Sequence, residues 1–340
     1  MKFSFKTFLF LSVVGAMSVY GQVFDNWEQM DSGTEETIYA LDMLGEDFGV
    51  AVGVNRTVLK WDGNAWSPME GVIATGFDST AGLSAVSVIS PSLVLIGGST
   101  GSNNENVRGL SVWDGHEWGS KINGGPGENS VTGIWTDRSG LILTSRSYHT
   151  RVTRYEGENI ASDIMNNTIW TLPYNAPHPS PSLFDIHGAS PMAVFAAGTQ
   201  GTVLRSVDEG INWVEVSTEE MKETHWYSVF AFSEEHVVVG GTKGQIAIWD
   251  GTNWTQETVL FGNLTEDQMI WNDIFAFAKD NIWVVGTYGA VKHFDGISWN
   301  DMELVYLPGK KRPNLRSICY DGNALWITGD GGMIYRARGN

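Results

Sequence analysis

Seven times along the chain, an apolar run is followed by a short polar turn and then by a second apolar run. The first runs are IYALDML from Ile38, LSAVSVI from Leu83, VTGIWTD from Val131, LFDIHGA from Leu183, WYSVFAF from Trp226, WNDIFAF from Trp271 and LRSICYD from Leu315. The turns include SEEH and AKDN, and the second runs end in glycine: VFAAG, VVVGG, IWVVG, LWITG. Short, nearly unbroken apolar runs bounded by turn residues predict strands covered on both faces, as in sheets packed against neighbouring sheets. A tight hairpin follows each second run, at Gly198–Gly201, Gly241–Gly244, Gly286–Gly289 and Gly329–Gly332, where glycine supplies the positive φ of a two-residue turn. A third strand then leads into an Asp-Gly turn, and a tryptophan opens the fourth. No stretch keeps a long amphipathic helical period, so the chain reads as all-β.

The Asp-Gly turns make the repeat explicit. KWDGNAW ends at Trp66, VWDGHEW at Trp118, SVDEGINW at Trp213, IWDGTNW at Trp254 and HFDGISW at Trp299, with a worn copy, RYEGENI, ending at Ile160. From Trp66 the intervals are 52, 42, 53, 41 and 45 residues, close to the roughly 40 to 50 residues of a four-stranded propeller blade. Seven first strands predict a seven-bladed β-propeller. The count rests on the worn third copy, and six or eight blades are the alternatives. The last copy stops at Asn340 without its tryptophan, whereas Phe24-Asp25-Asn26-Trp27 resembles DGNAW. Trp27 is therefore expected to open the outer strand of the last blade and close the ring from the other terminus.

Composition narrows the setting. Lys2 and Lys6 precede an apolar run from Phe8 to Met17, and Val19-Tyr20-Gly21 precedes Gln22. Residues 1–21 read as a secretory signal peptide and 22–340 as one propeller domain, secreted or periplasmic. The run is shorter than the roughly 20 residues that span a bilayer, and no later stretch reaches that length. Cys319 is the single cysteine and has no partner for an internal disulfide. A net charge of −18 with a pI near 4.7 argues against nucleic acid, whose binders cluster Lys and Arg. The one basic run, Lys310-Lys311-Arg312, reads as a solvated loop.

GTQGTVLRSVDEGINW, with Ser206, Asp208, Gly210 and Trp213 at the motif positions, resembles the repeat of the BNR/Asp-box superfamily of sialidase-like propellers. It is closest to the seven-bladed photosystem II assembly-factor type, and the WDGxxW copies resemble repeats of large secreted bacterial propellers. The resemblance runs from Trp27 to the end of the chain and implies the fold. Its members include sialidases, endoglucanases, assembly factors and adhesins, so function must be argued from the site. A sialidase would need three arginines around a carboxylate, a Tyr–Glu pair and an Asp acid/base. The Arg-Ile-Pro segment that usually carries the first arginine is missing, and the only arginine before residue 100 is Arg56 in a hairpin.

Other glycosidases need two carboxylates about 5 to 10 Å apart. Aligning the first strands puts Asp185 and Asp273 in one slot, two blades apart, shared with Ala40, Ala85, Gly133, Ser228 and Ser317. First strands line a propeller's channel. The preferred reading makes both aspartates solvated or serine-bonded channel groups, ahead of a bound cation or a catalytic pair. No His or Cys spacing suits a metal site, no dinucleotide or Walker fingerprint follows a strand into a helix, and no cofactor is expected. Asn55, Asn166, Asn253 and Asn263 open formal glycosylation sequons.

Links between blades share one face with the hairpins joining second and third strands, and the length variation of this chain lies there. The longest link, 162–182, carries Trp170, Tyr174 and His178. The third blade's hairpin carries Arg146, Tyr148, His149 and Arg151, and the sixth blade's carries Tyr288. Aromatics beside Arg and Asn suit stacking on sugars or gripping a protein segment. The predicted ligand-binding set is Arg146, Tyr148, His149, Trp170, Tyr174 and Tyr288. Trp27, Trp66, Trp118, Trp213, Trp254 and Trp299 are expected to pack between blades. The preferred reading is an exported, monomeric, non-catalytic propeller that binds a protein or polysaccharide. The alternatives are a glycosidase or lyase using the channel carboxylates, and an architectural assembly factor of an envelope or membrane complex.

Overall fold

The computed structural model describes residues 24–69, 71, 80–99, 109–120, 130–147, 150–165, 171–175, 181–306 and 312–339; the expected signal peptide lies outside them. Seven four-stranded antiparallel sheets form, and in six of them the strands follow chain order from channel to rim. The seventh takes Trp27–Met30 as its outer strand, antiparallel to Ile334–Arg338 with Trp27 opposite Ala337. The count of seven and the closure from both termini are as the repeat predicted. Among the described residues no helix is long and apolar enough to cross a membrane.

The seven inner strands are Ile38–Met43, Leu83–Ser90, Val131–Thr136, Leu183–Ser190, Trp226–Ser233, Trp271–Ala278 and Leu315–Tyr320. They define blades one to seven. Each second strand is buried at every position, or at every position but its first, because neighbouring blades cover both of its faces. The core accordingly lies between blades. Val50, Val52 and Val58 of blade one pack with Leu83, Val94, Ile96 and Trp118 of blade two. Full burial of each such side chain stabilises by about 1.5–3 kcal/mol before the entropy of ordering it is counted.

The repeated tryptophans occupy these seams. Trp66, Trp118 and Trp213 are buried, and Trp66 packs edge-on against Trp326 of blade seven. Trp254 donates its indole N–H to Val216 O at 2.9 Å and Trp299 donates to Glu257 Oε1 at 2.8 Å, each reaching the preceding blade. In blade four, Gly210 N–H donates to Ser206 Oγ, Asn212 N–H donates to Asp208 Oδ1, and the Trp213 indole donates to Gly210 O. The Asp-box there is a self-satisfied turn.

Two details depart from the sequence reading. In the hairpins, glycine fills only the second of two successive left-handed positions in three of the blades: Gln200, Lys243 and Tyr288 take the first, with φ of 55°, 60° and 56°. Glycine is needed second because the next link crosses there; a Cβ on Gly201 would lie 2.3 Å from Met221 O. In the worn third repeat, Ile160 opens a short helix, Ile160–Met165, in place of the outer strand. Without an Asp-Gly turn, the segment docks through buried Ile160 and through the Tyr155 hydroxyl, which donates to Asp163 at 2.6 Å. The outer strand follows at Thr171–Asn175, so Tyr174, placed by the sequence in a free link, sits in a strand opposite Val152.

Candidate functional site

Every inner strand carries a register shift between its first and third residues. A bulge of this kind re-aims side chains, and here two successive residues of most strands face the channel rather than one. The result is a funnel of about 380 Å³ at the start of the inner strands, the end that adjoins the inter-blade links. Its upper ring is Tyr39, Ser84, Thr132, Phe184, Tyr227, Asn272 and Arg316, and its lower ring includes Asp185, Asp273 and Ser317.

The upper ring is laced to itself. Ser84 Oγ donates to Val131 O, Thr132 Oγ1 to Leu183 O, and Asn272 Nδ2 to Leu315 O, each reaching the first inner-strand residue of the next blade. Phe184 and Tyr227 stack with centroids 4.7 Å apart. The Arg316 guanidinium lies 5.5 Å from the centre of the Tyr39 ring, while its Nε donates to Asp330 Oδ1 at 2.8 Å.

Below, Asp185 Oδ2 accepts the Val229 N–H at 2.9 Å and Oδ1 accepts the Ile186 N–H at 2.8 Å. Asp273 does the same two blades on, taking the Ile318 N–H and the Ile274 N–H, both at 2.8 Å. Ser228, of the blade between them, donates to Asp273 Oδ1 at 3.0 Å and lies beside Asp185. Burial first, and the Asp185 charge second, push the Asp273 carboxyl up to about 7 against the backbone N–H groups that pull it down. Burial likewise raises Asp185. Deeper in the channel, Asp42 accepts the Val88 N–H at 2.6 Å and His187 Nδ1 accepts the Ala231 N–H at 3.1 Å. Burial lowers His187 to about 4, so it is neutral at pH 7. Polar side chains thus bind one inner strand to the next around the ring.

The expected aspartate slot is therefore a lining position, and Asp185 and Asp273 meet around Ser228. Among the described residues no three potential metal ligands come together. Of the predicted ligand-binding set, only Arg146 and Tyr288 have described side chains. Arg146 is 1% exposed at the end of the second strand of blade three, whereas half-buried Tyr288 lies three blades away, its N–H donating to Asn314 Oδ1. Tyr148, His149 and Trp170 lie outside the described residues, and Tyr174 is placed by its backbone alone. The sequence reading missed the upper ring. Its signal was one position before the aspartate slot, where the aligned strands read Tyr, Ser, Thr, Phe, Tyr, Asn, Arg.

No family model matches the chain, and no curated protein matches it in sequence. Solved structures do match in shape. YCF48 bound to a D1 peptide superposes with a TM-score of 0.68 at 16% identity, over 94% of this chain and 97% of that one. YCF48 from Cyanidioschyzon merolae gives 0.67 at 15%, over 92% and 98%. The WD40 repeats of RRP9 give 0.68 at 14%, over 94% and 100%. The likeness is one of fold.

Proposed function

We propose that this chain is an exported, non-catalytic propeller that docks a protein partner on the face bearing the inter-blade links, with the channel mouth at its centre. The observation that carries the reading is the use of the two channel carboxylates. Each is held by two backbone N–H groups, one from the neighbouring blade, so its first role is to close the ring. The hairpins described on that face are tied down. Arg56 N–H donates to Ala81 O, Gly201 N–H to Thr224 O and Gly244 N–H to Met269 O, so these hairpins are tied to the link beside them. Loops on such a scaffold are where binding residues collect, and YCF48, of the same fold, is seen with a peptide.

The test is photo-cross-linking in the native host, with a reactive residue at exposed Gln200 or Lys243 on the link face and at Thr252 or Ile297 on the opposite face. Protein adducts from the first pair alone are expected; equal labelling from both faces overturns the reading. A second reading, polysaccharide cleavage, draws on Asp273, whose carboxyl titrates near neutrality beside a second carboxylate, the polarity acid/base pairs use. It requires a glycan-cleaving activity that Asp273→Asn abolishes.

A further inference from the structure

We propose that the channel mouth receives a cationic side chain, an arginine or lysine of the docked polypeptide, between the Phe184–Tyr227 wall and the Asp185 and Asp273 carboxylates. The inference rests on the reading that a protein docks on the link face.

Three observations carry it. First, the rim already holds one guanidinium in this manner, since Arg316 lies over the Tyr39 ring and bonds the Asp330 carboxylate. Blades four and five line the funnel with the half-buried Phe184 and Tyr227 rings, and blades four and six with Asp185 and Asp273, without supplying a cation. Among the described residues no Lys or Arg pairs with Asp185 or Asp273, and a carboxylate withdrawn from bulk water either takes up a proton or finds a countercharge. Second, acceptor capacity remains. A carboxylate offers about four lone-pair sites. Asp185 uses two on N–H groups, whereas Asp273 uses two on N–H groups and one on the Ser228 hydroxyl, with Ser317 also beside it, so the free sites lie chiefly on Asp185. Third, the space fits. A funnel of about 380 Å³ falls within the roughly 300–1,000 Å³ of small-ligand sites. The hydroxyls across from the aromatic wall, Ser84 and Thr132, are already bonded to backbone carbonyls. A ring face and an anion together discriminate a cation from a neutral group of the same shape, and the chain's charge of −18 steers cations toward it.

The experiment titrates the full chain by calorimetry with acetylated, amidated heptapeptides of Gly and Ser that carry a central arginine, lysine, citrulline or glutamate, and with ethylguanidinium alone. The arginine peptide is expected to bind at least tenfold more tightly than its neutral citrulline isostere, and the glutamate peptide not at all. Tyr227→Ala, with an unchanged melting temperature, should weaken the arginine peptide at least fivefold. Equal binding of arginine and citrulline peptides by the unaltered chain overturns the proposal, and that comparison does not depend on any variant folding. Ethylguanidinium binding as tightly as the peptide would assign the site to a free small cation and overturn the polypeptide assignment. Face-selective cross-links from Gln200 without an arginine preference would overturn this inference alone. Loss of those cross-links would overturn the docking reading itself.

Discussion

Asp273 Oδ2 stands 2.8 Å from the backbone nitrogen of Ile318, joining the inner strand of blade six to that of blade seven. The same carboxyl takes the N–H of Ile274, the residue after the bulge in its own strand. Asp185 repeats the arrangement between blades four and five. Each inner strand is the edge of its sheet, so its outward backbone donors lack a strand partner, and a short acidic side chain from the same or the preceding inner strand collects them. Asp273→Ala should therefore leave two donors without their acceptor and cost about 1–3 kcal/mol. Urea denaturation followed by tryptophan fluorescence measures this, and an unchanged midpoint would contradict the clamp.

The same residue sets a pH dependence. Its folded carboxyl titrates at about 7 against an ordinary 3.8, so between those values the folded state holds a proton that the unfolded state has lost. The stabilisation is complete below about pH 4, falls as pH rises toward 7 and is flat beyond. Carboxylates of the Asp-Gly turns, such as Asp114 and Asp250, are held low by backbone N–H groups and act in the opposite sense. Comparison with Asp273→Asn cancels them. The urea midpoint of the wild-type chain relative to that variant should fall between about pH 4.5 and 7.5; a constant difference would show that Asp273 does not titrate there.

Gly210 of the Asp-box has φ of +77°, and a Cβ there would lie 2.6 Å from Leu143 Cδ2 in the neighbouring blade. Gly45 has a similar φ of +71° with nothing within 4 Å. Gly210→Ala combines backbone strain with a clash, whereas Gly45→Ala carries the strain alone. Both should destabilise, the first by more than about 1 kcal/mol and by more than the second. Thermal unfolding of the two variants side by side would test the order.

Ring closure offers a further check. Trp27 is 8% exposed and packs against Trp283 of blade six in the cluster that also buries Phe24 and Leu315. Trp27→Ala should cost about 3–5 kcal/mol. Deleting residues through Met30 would also bare the edge of Ile334–Arg338 and favour association through it. Size-exclusion chromatography of the shortened chain should show higher oligomers; a stable monomer with an unaltered melting temperature would refute the closure.

The amino-acid sequence by itself determined the blades. Strand period, Asp-Gly turns and a tryptophan at regular intervals are local signals, and Trp66, Trp118, Trp213, Trp254 and Trp299 could be assigned to the seams because each recurs at one position of the repeat. Where the local signal wore away, at Ile160, the reading slipped: the outer strand of blade three lies farther along, at Thr171–Asn175. The tertiary structure alone decided what faces the channel. A bulge is a mismatch between two strands and leaves no mark in either run alone, so Phe184, Tyr227 and Arg316 were legible as one aligned position but not as facing the channel. It also decided what the aspartates do, because Asp185 and Asp273 act on backbone donors of other blades, Val229 and Ile318, about 45 residues away along the chain. Periodicity specifies which residues repeat; only the closed ring brings one blade's carboxylate to the next blade's N–H.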